Sequence, residues 1–265
     1  MPKVTSKDGT QIAFDKRGRG PAVILVDGAF ANRSFGPNGE LAEAMAEHFT
    51  VFNYDRRGRN ESGDTAPWAI EREIEDIEAL VEEAGGSAHL YAISSGVPLA
   101  LAAANRSLVI NKLALYEPPF IVDDSRTPMS PDYAAEVDAL LSAGRRGDTV
   151  KLFMTKAVKV PSIAVFIMQF TPAWSKLKSV AHTLRYDTAL MEGTWAGQPL
   201  PAERWSSVTI PTLVMSGGKS PAWMQKSAKT LAEVLPNARH RTLDGQTHLI
   251  KAKVLAPELV DFFAG

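Results

Sequence analysis

Residues 89–98, HLYAISSGVP, carry the most structural information in the sequence. The apolar run His89–Ser94 is followed by a second serine, a glycine and an apolar, alanine-rich segment that is typical of a helix. A buried strand that turns directly into a helix is the repeating unit of α/β proteins. The stretch therefore predicts a strand, a tight turn at the two serines and a helix.

The same unit recurs along the chain. Continuous apolar runs of this length suit parallel strands that are covered on both faces. Five further runs are found at Ala22–Gly28, Phe49–Asp55, Lys112–Pro118, Pro211–Gly217 and His240–Gly245. Helical patterns lie at Ile70–Gly86, Pro221–Asn237 and residues 256–265. We therefore predict an α/β fold with a mostly parallel central sheet flanked by helices.

The alternation of strands and helices stops between residues 120 and 205, where the chain is rich in Met, Phe and Trp and shows no clear strand. We interpret this segment as a helical lid inserted before the last strands, over the sheet edge where open α/β sheets bind ligands. Residues 1–119 and 206–265 would form the core. Phe166, Phe170 and Trp174 are candidate substrate contacts, and the alternative is that they form the interior of the lid.

Composition excludes several classes of protein. The chain has 265 residues, 45% hydrophobic and 22% charged, which is ordinary for a soluble globular protein. Its net charge of −1 argues against a nucleic-acid partner or an anionic membrane surface, and the absence of cysteine excludes disulfides and thiolate sites. The first residues lack the apolar core of a signal peptide, and Val160–Phe170 is too short to span a bilayer. We expect a cytoplasmic protein that acts on a small molecule. Whether it forms a homodimer is left open by the sequence.

Ser94 is the candidate nucleophile. A nucleophile on a tight strand-to-helix turn needs small residues two positions before and after it, because the backbone is crowded there. Ala92 and Gly96 meet this requirement for Ser94. Centred on Ser95, the same positions hold Ile and Val, which are β-branched. The alternative is a polar turn that caps the following helix.

Several segments, taken together and in order, resemble the α/β-hydrolase superfamily on its esterase side. The resemblance covers nearly the whole chain and rests on VDGAF (Val26–Phe30), YDRRGRNESGD (Tyr54–Asp64), AISSG (Ala92–Gly96) and GQTHL (Gly245–Leu249). It implies that His248 is the base, although a surface-loop histidine is the alternative. It also implies an oxyanion hole from the backbone N–H groups of Ser95 and Ala29. Phe30 is the second choice for that donor and a candidate substrate contact.

The acid that should orient the histidine is missing from its usual place. The resemblance puts an Asp after the strand PTLVMSG, but Ser220 stands there, and no carboxylate lies between Ser206 and Glu233. Some α/β-hydrolases take the acid from the end of the preceding strand, which here is Glu117. The alternative is that Glu117 only caps the hinge of the lid. Asp123, Asp124 and Asp244 are less favoured.

Three functions remain open. The first is a serine hydrolase that cleaves a small, largely apolar carboxylic ester or lactone. The second is a C–C bond hydrolase or lyase on the same site, and the third is a non-catalytic ligand-binding relative that lacks the triad acid. Haloalkane dehalogenases and epoxide hydrolases, which are related to this superfamily, have Asp at this turn. The serine at the turn therefore argues against both activities. The five histidines are widely spaced and there is no cysteine, so we expect no metal and no cofactor.

Overall fold

The computed structural model describes residues 2–106 and 108–265, which contain a sheet of eight strands in the order β1-β2-β4-β3-β5-β6-β7-β8. Strands β3 to β8 are parallel to one another, and β1 and β2 add an antiparallel edge. The strands are β1 (Lys3–Thr5), β2 (Gln11–Arg17), β3 (Ala22–Val26), β4 (Thr50–Tyr54), β5 (Ala88–Ile93), β6 (Ile110–Tyr116), β7 (Thr212–Gly217) and β8 (Ala238–Leu243).

The predicted fold class is confirmed, because each of the six apolar runs overlaps one of the strands β3 to β8. The two strands β1 and β2 were not predicted. Strand β1 has only three residues, and β2 ends in the exposed polar sequence Asp15–Arg17. Edge strands of this kind need less apolar sequence than buried parallel strands, so they give a weaker pattern.

Both faces of the sheet are buried, as β3 shows. Val23 and Leu25 point to one side, and Ile24 and Val26 point to the other, and all four are fully buried. This alternation is the two-residue period of a strand. Helices α1 (Asn38–Met45) and α10 (Ala252–Ala264) cover the first face, and α2 (Ile70–Glu83), α3 (Gly96–Ala104) and α9 (Ala222–Val234) cover the second.

The chain between β6 and β7 contains several helices joined by loops, with no strand among its described residues, and forms a third apolar cluster of its own. Tyr133, Val137, Val150 and Trp174 pack there against Phe30, which comes from the loop after β3. The helices are α4 (Tyr133–Ser142), α5 (Arg146–Leu152), a π-helical turn (Phe153–Ala157), α6 (Ser162–Met168), α7 (Pro172–Val180), a 3-10 turn (Ala181–Thr183), α8 (Leu184–Leu190) and a 3-10 turn (Ala202–Trp205). We call residues 120–205 the helical segment.

Within residues 2–106 and 108–265, no helix is both long enough and apolar enough to cross a lipid bilayer.

Candidate active site

Ser94 lies on a strained turn between β5 and α3. Its φ is +56°, a conformation that L-residues rarely adopt and that costs roughly 1–3 kcal/mol. The turn is possible because its neighbours are small. A Cβ atom on Gly96 would lie 2.7 Å from the Val26 carbonyl oxygen, and one on Gly28 would lie 2.9 Å from the Ser94 Cβ. The backbone N–H of Ser94 donates to the Tyr116 carbonyl at 3.0 Å, which holds the turn against β6.

Glu117 lies directly after β6, and its side chain reaches His248. Its Oε2 is 2.8 Å from His248 Nδ1, and its Oε1 accepts the backbone N–H of Gly217 at 2.7 Å. Glu117 is fully buried and has a φ of +49°. The Tyr116 hydroxyl donates to the Thr247 carbonyl at 2.7 Å and so fixes the loop that carries His248. These contacts hold the imidazole ring by its Nδ1 side.

The other acids that the sequence offered lie elsewhere. Asp244 is exposed, and Asp123 forms an ion pair with Lys226. Ser220, at the position where the resemblance expected an acid, is buried, and its hydroxyl makes no hydrogen bond within the described chain. Glu117 is therefore the carboxylate that contacts the His248 ring.

Ser94 and His248 line the same cavity, which has a volume of about 530 Å³. The His248 side chain is 40% exposed, and its Nδ1 is the ring nitrogen that contacts Glu117. Among the described residues no hydrogen bond joins Ser94 to His248. In the absence of substrate such contacts are often long and shorten only when the substrate binds.

The backbone N–H groups of Ala29, Phe30 and Ser95 make no hydrogen bond within the described residues. All three residues line the cavity. Phe30 has a φ of +63°, which turns the backbone sharply after β3. The Arg59 guanidinium holds this loop, because its Nη1 donates to the carbonyl groups of Gly28 and Ala31.

A buried ion network lies beneath the serines and was not predicted. Asp187 of α8 accepts hydrogen bonds at 2.8 Å from Arg56, Arg59 and the Ser95 hydroxyl. Arg56 also pairs with Glu73 of α2. Burial opposes the charge on Asp187, but Arg59 and Arg56 outweigh it and lower the pKa of the carboxyl. The network therefore ties the helical segment to the loop after β4. Two arginines of the DRRGR sequence, Arg56 and Arg59, were its only signal, and Asp187 had none.

Asp27 is a second buried carboxyl at the cavity wall. It is fully buried, and neither of its side-chain oxygens has a hydrogen-bond partner in the described structure. Burial raises the pKa of Asp27 to about 7, and the positive charges of Arg59 and Arg56 only partly offset this rise. The side chain is therefore largely uncharged below neutral pH.

Of the four predicted substrate contacts, the structure brings only Phe30 to the cavity. There it packs edge-to-face on Phe153, with ring centres 5.1 Å apart. Phe166 and Phe170 are 56% and 77% exposed: α6 turns Val165 inward and Phe166 toward solvent, and Phe170 lies just after the end of this helix. Trp174 packs inside the helical segment. The residues of that segment that do line the cavity, among them Met129, Met154 and Trp195, were not singled out.

No group of three or more His, Asp or Glu side chains in the described chain is arranged as it would be around a metal ion.

Comparison with known proteins gives one consistent result. A model of the alpha/beta hydrolase family matches residues 23–250. The structure of an alpha/beta hydrolase from Sphaerobacter thermophilus is 51% identical, with 99% of this chain and 100% of that chain covered, and has a TM-score of 0.91.

Two more distant structures share the fold. A thermophilic esterase from Thermogutta terrifontis is 19% identical, with 99% of this chain and 96% of that chain covered and a TM-score of 0.72. An enol-lactonase from Burkholderia xenovorans is also 19% identical, with both chains covered fully and a TM-score of 0.72. At this identity the likeness concerns the fold alone.

Proposed function

This chain belongs to the alpha/beta hydrolase family, and we propose that it is a serine hydrolase that cleaves a small, largely apolar carboxylic ester or lactone through an acyl-enzyme on Ser94. The observation that carries the proposal is the contact between Glu117 and His248 in the cavity that Ser94 lines. A strained serine, a histidine and a buried carboxylate are the three groups that nucleophilic acyl transfer needs.

His248 acts as the base in this proposal. A serine hydroxyl is a poor nucleophile at neutral pH, so a neutral imidazole must remove its proton as the oxygen attacks the ester carbonyl. The Glu117 carboxylate accepts a hydrogen bond from Nδ1–H, which leaves the lone pair on Nε2 free to receive that proton. Nε2–H then protonates the leaving alcohol. In the second half-reaction His248 takes a proton from water as the water oxygen attacks the acyl carbon, and it returns this proton to the Ser94 oxygen when the acid leaves.

The oxyanion hole consists of the backbone N–H groups of Ala29 and Ser95, with Phe30 as the second choice for the first donor. These groups have no partner within the described residues and lie on the cavity wall, which supports the assignment. Loss of one such donor costs roughly 2.7–4 kcal/mol of transition-state stabilisation in other enzymes.

The helical segment acts as a lid over the carboxyl end of the sheet. Its residues form one wall of the cavity, and α8 is held to the core by the ion pairs of Asp187 with Arg56 and Arg59. Apolar side chains such as Phe153, Met154 and Trp195 suit a substrate with an apolar body. The 530 Å³ volume falls in the range of about 300–1,000 Å³ that is usual for small-molecule sites.

The contact of the Glu117 carboxylate with His248 favours a catalytic protein over a binding protein that has lost its triad acid.

The test is labelling with a fluorophosphonate probe, which reacts only with an activated serine. We expect labelling of the wild type and none of Ser94→Ala. Ser95→Ala is the matched control, because it removes the adjacent hydroxyl and keeps the Ser95 N–H, and it should still be labelled. Equal labelling of wild type and Ser94→Ala would exclude Ser94, and an unlabelled wild type would favour the binding protein.

A further inference from the structure

Four ionisable side chains line the cavity in the described part of the chain: Asp27, Arg126, Asp187 and His248. Three of them have their charge accounted for. Asp187 is paired with Arg56 and Arg59, His248 is held by Glu117, and burial raises the pKa of Asp27 to about 7, which leaves it largely uncharged below neutral pH.

Arg126 is different, because no carboxylate within the described residues is paired with it. It lies in the loop between β6 and α4, and its Nη2 donates to the carbonyl of Ala157. The guanidinium carbon lies 4.1 Å from the centre of the Trp223 ring. These two contacts are to neutral groups, and they fix the position of the guanidinium without neutralising it.

Part of the Arg126 guanidinium is also desolvated. Its Nε is buried and makes no hydrogen bond, and burial lowers the pKa of the group with no acidic neighbour to oppose this. An arginine stays protonated in a protein nevertheless. A positive charge in an apolar cavity, with an unused N–H, is unfavourable unless another molecule supplies the missing acceptor.

We propose that the substrate of the serine hydrolase described above carries a free carboxylate, and that this carboxylate pairs with Arg126. The inference rests on the proposed function for the reaction and on Arg126 for the substrate class. A guanidinium binds a carboxylate through two parallel N–H donors, which fixes orientation as well as charge. The substrate is then an ester or lactone whose apolar body ends in a carboxylate. Arg126 determines specificity and takes no part in bond breaking.

The test compares esters with and without a carboxylate. One pair is 4-nitrophenyl hydrogen adipate and 4-nitrophenyl hexanoate, with the carboxylate on the acyl side. The other is 4-acetoxybenzoate and phenyl acetate, with the carboxylate on the leaving group. The wild type should prefer the charged member of at least one pair. Arg126→Gln should lower kcat/KM for that member by roughly 10- to 100-fold and for its neutral partner by less than about threefold.

Two further variants sharpen the result. Arg126→Lys should recover only part of the preference, because an ammonium group has neither the flat stacking face nor the paired donors. Arg185→Gln removes one positive charge from the same helical segment, at an exposed ion pair with Asp138, and should leave the preference unchanged. A wild-type preference for the neutral member of both pairs would overturn the proposal. An equal loss on charged and neutral esters in Arg126→Gln would do the same.

Failure of the hydrolase proposal is recognised separately, since the wild type would then hydrolyse none of the four esters and would not react with the fluorophosphonate. The carboxylate site is tested in that case by calorimetry with 4-phenylbutyrate and 4-phenylbutyramide. Tighter binding of the acid to the wild type, lost in Arg126→Gln, would support the site. Equal binding of acid and amide, or binding unchanged in the variant, would refute it.

Discussion

Replacement of Glu117 by Gln gives the sharpest test of the proposed triad, because the two contacts of this side chain determine how the amide must sit. Oε1 accepts the Gly217 N–H at 2.7 Å, so the oxygen of the Gln amide has to occupy that position. The NH2 group then takes the place of Oε2, at 2.8 Å from His248 Nδ1. The opposite orientation would set two donors against each other at Gly217, which costs roughly 1–3 kcal/mol.

The amide therefore reverses the hydrogen bond to the ring. Glutamate accepts from Nδ1–H, whereas the Gln NH2 group donates to Nδ1. The ring proton moves to Nε2, and the lone pair that should receive the Ser94 proton is lost. In a well-studied serine protease triad, the corresponding change lowers turnover by about four orders of magnitude. This is equivalent to roughly 5.5 kcal/mol in the activation free energy.

The measurement is kcat and KM for 4-nitrophenyl butyrate, together with the midpoint of thermal unfolding. We expect kcat to fall by roughly 10⁴-fold and KM to change by less than about threefold, because the ring orientation matters in the transition state and not in substrate binding. The control is Asp244→Asn, which removes a carboxylate four residues before His248 whose side chain is exposed. It should retain wild-type turnover.

A folded Glu117→Gln variant with turnover within tenfold of the wild type would refute the assignment, as would an equal loss in Asp244→Asn. An increase in turnover in Ser220→Asp would also count against Glu117. That result would mean that the position after β7 is the better place for the acid.

Two further predictions concern the buried charges. Asp27→Asn should change how stability depends on pH. The pKa of Asp27 is about 7 in the folded protein, against an ordinary value of 3.8, so the wild-type free energy of unfolding should fall as the pH rises from 4 to 7. The variant should lack this slope of roughly 1.4 kcal/mol per pH unit. The free energy of unfolding is measured in urea at each pH, and parallel pH profiles for wild type and variant would contradict the prediction. Asp187→Asn removes a negative charge that balances the buried Arg56 and Arg59, and should lower the free energy of unfolding, measured in urea, by roughly 3–5 kcal/mol. The control is Asp138→Asn, at an exposed ion pair with Arg185, which should lower it by less than about 1 kcal/mol.

Strands and the serine turn were predictable because their signal is local. Each parallel strand is a short apolar run that must be buried on both faces, and the turn at Ser94 needs small neighbours at Ala92 and Gly96. These requirements act between residues that are close along the chain, so they are visible in the sequence. The structure confirms the predicted fold and places Ser94 in the strained conformation that the pattern implies.

The partner of His248 could only be proposed from sequence, because Glu117 lies 131 residues away along the chain. The same holds for Asp187, which reaches Arg56 across 131 residues and carried no local signal. Whether an aromatic side chain faces the cavity was also beyond the sequence. Phe166 and Phe170 are as apolar as any lid residue should be, yet both side chains are exposed to solvent.

The sequence by itself therefore determined the α/β class, the order of the parallel strands along the chain and the serine at the turn, since these depend on burial and backbone crowding over a few residues. Only the tertiary structure decided which carboxylate meets His248, which aromatic ring faces the cavity and that Arg126, on the cavity wall, has no carboxylate partner within the described residues. Those outcomes depend on how the carboxyl ends of the strands and the helical segment converge in space. Side chains more than a hundred residues apart meet there, and no local pattern records the contact.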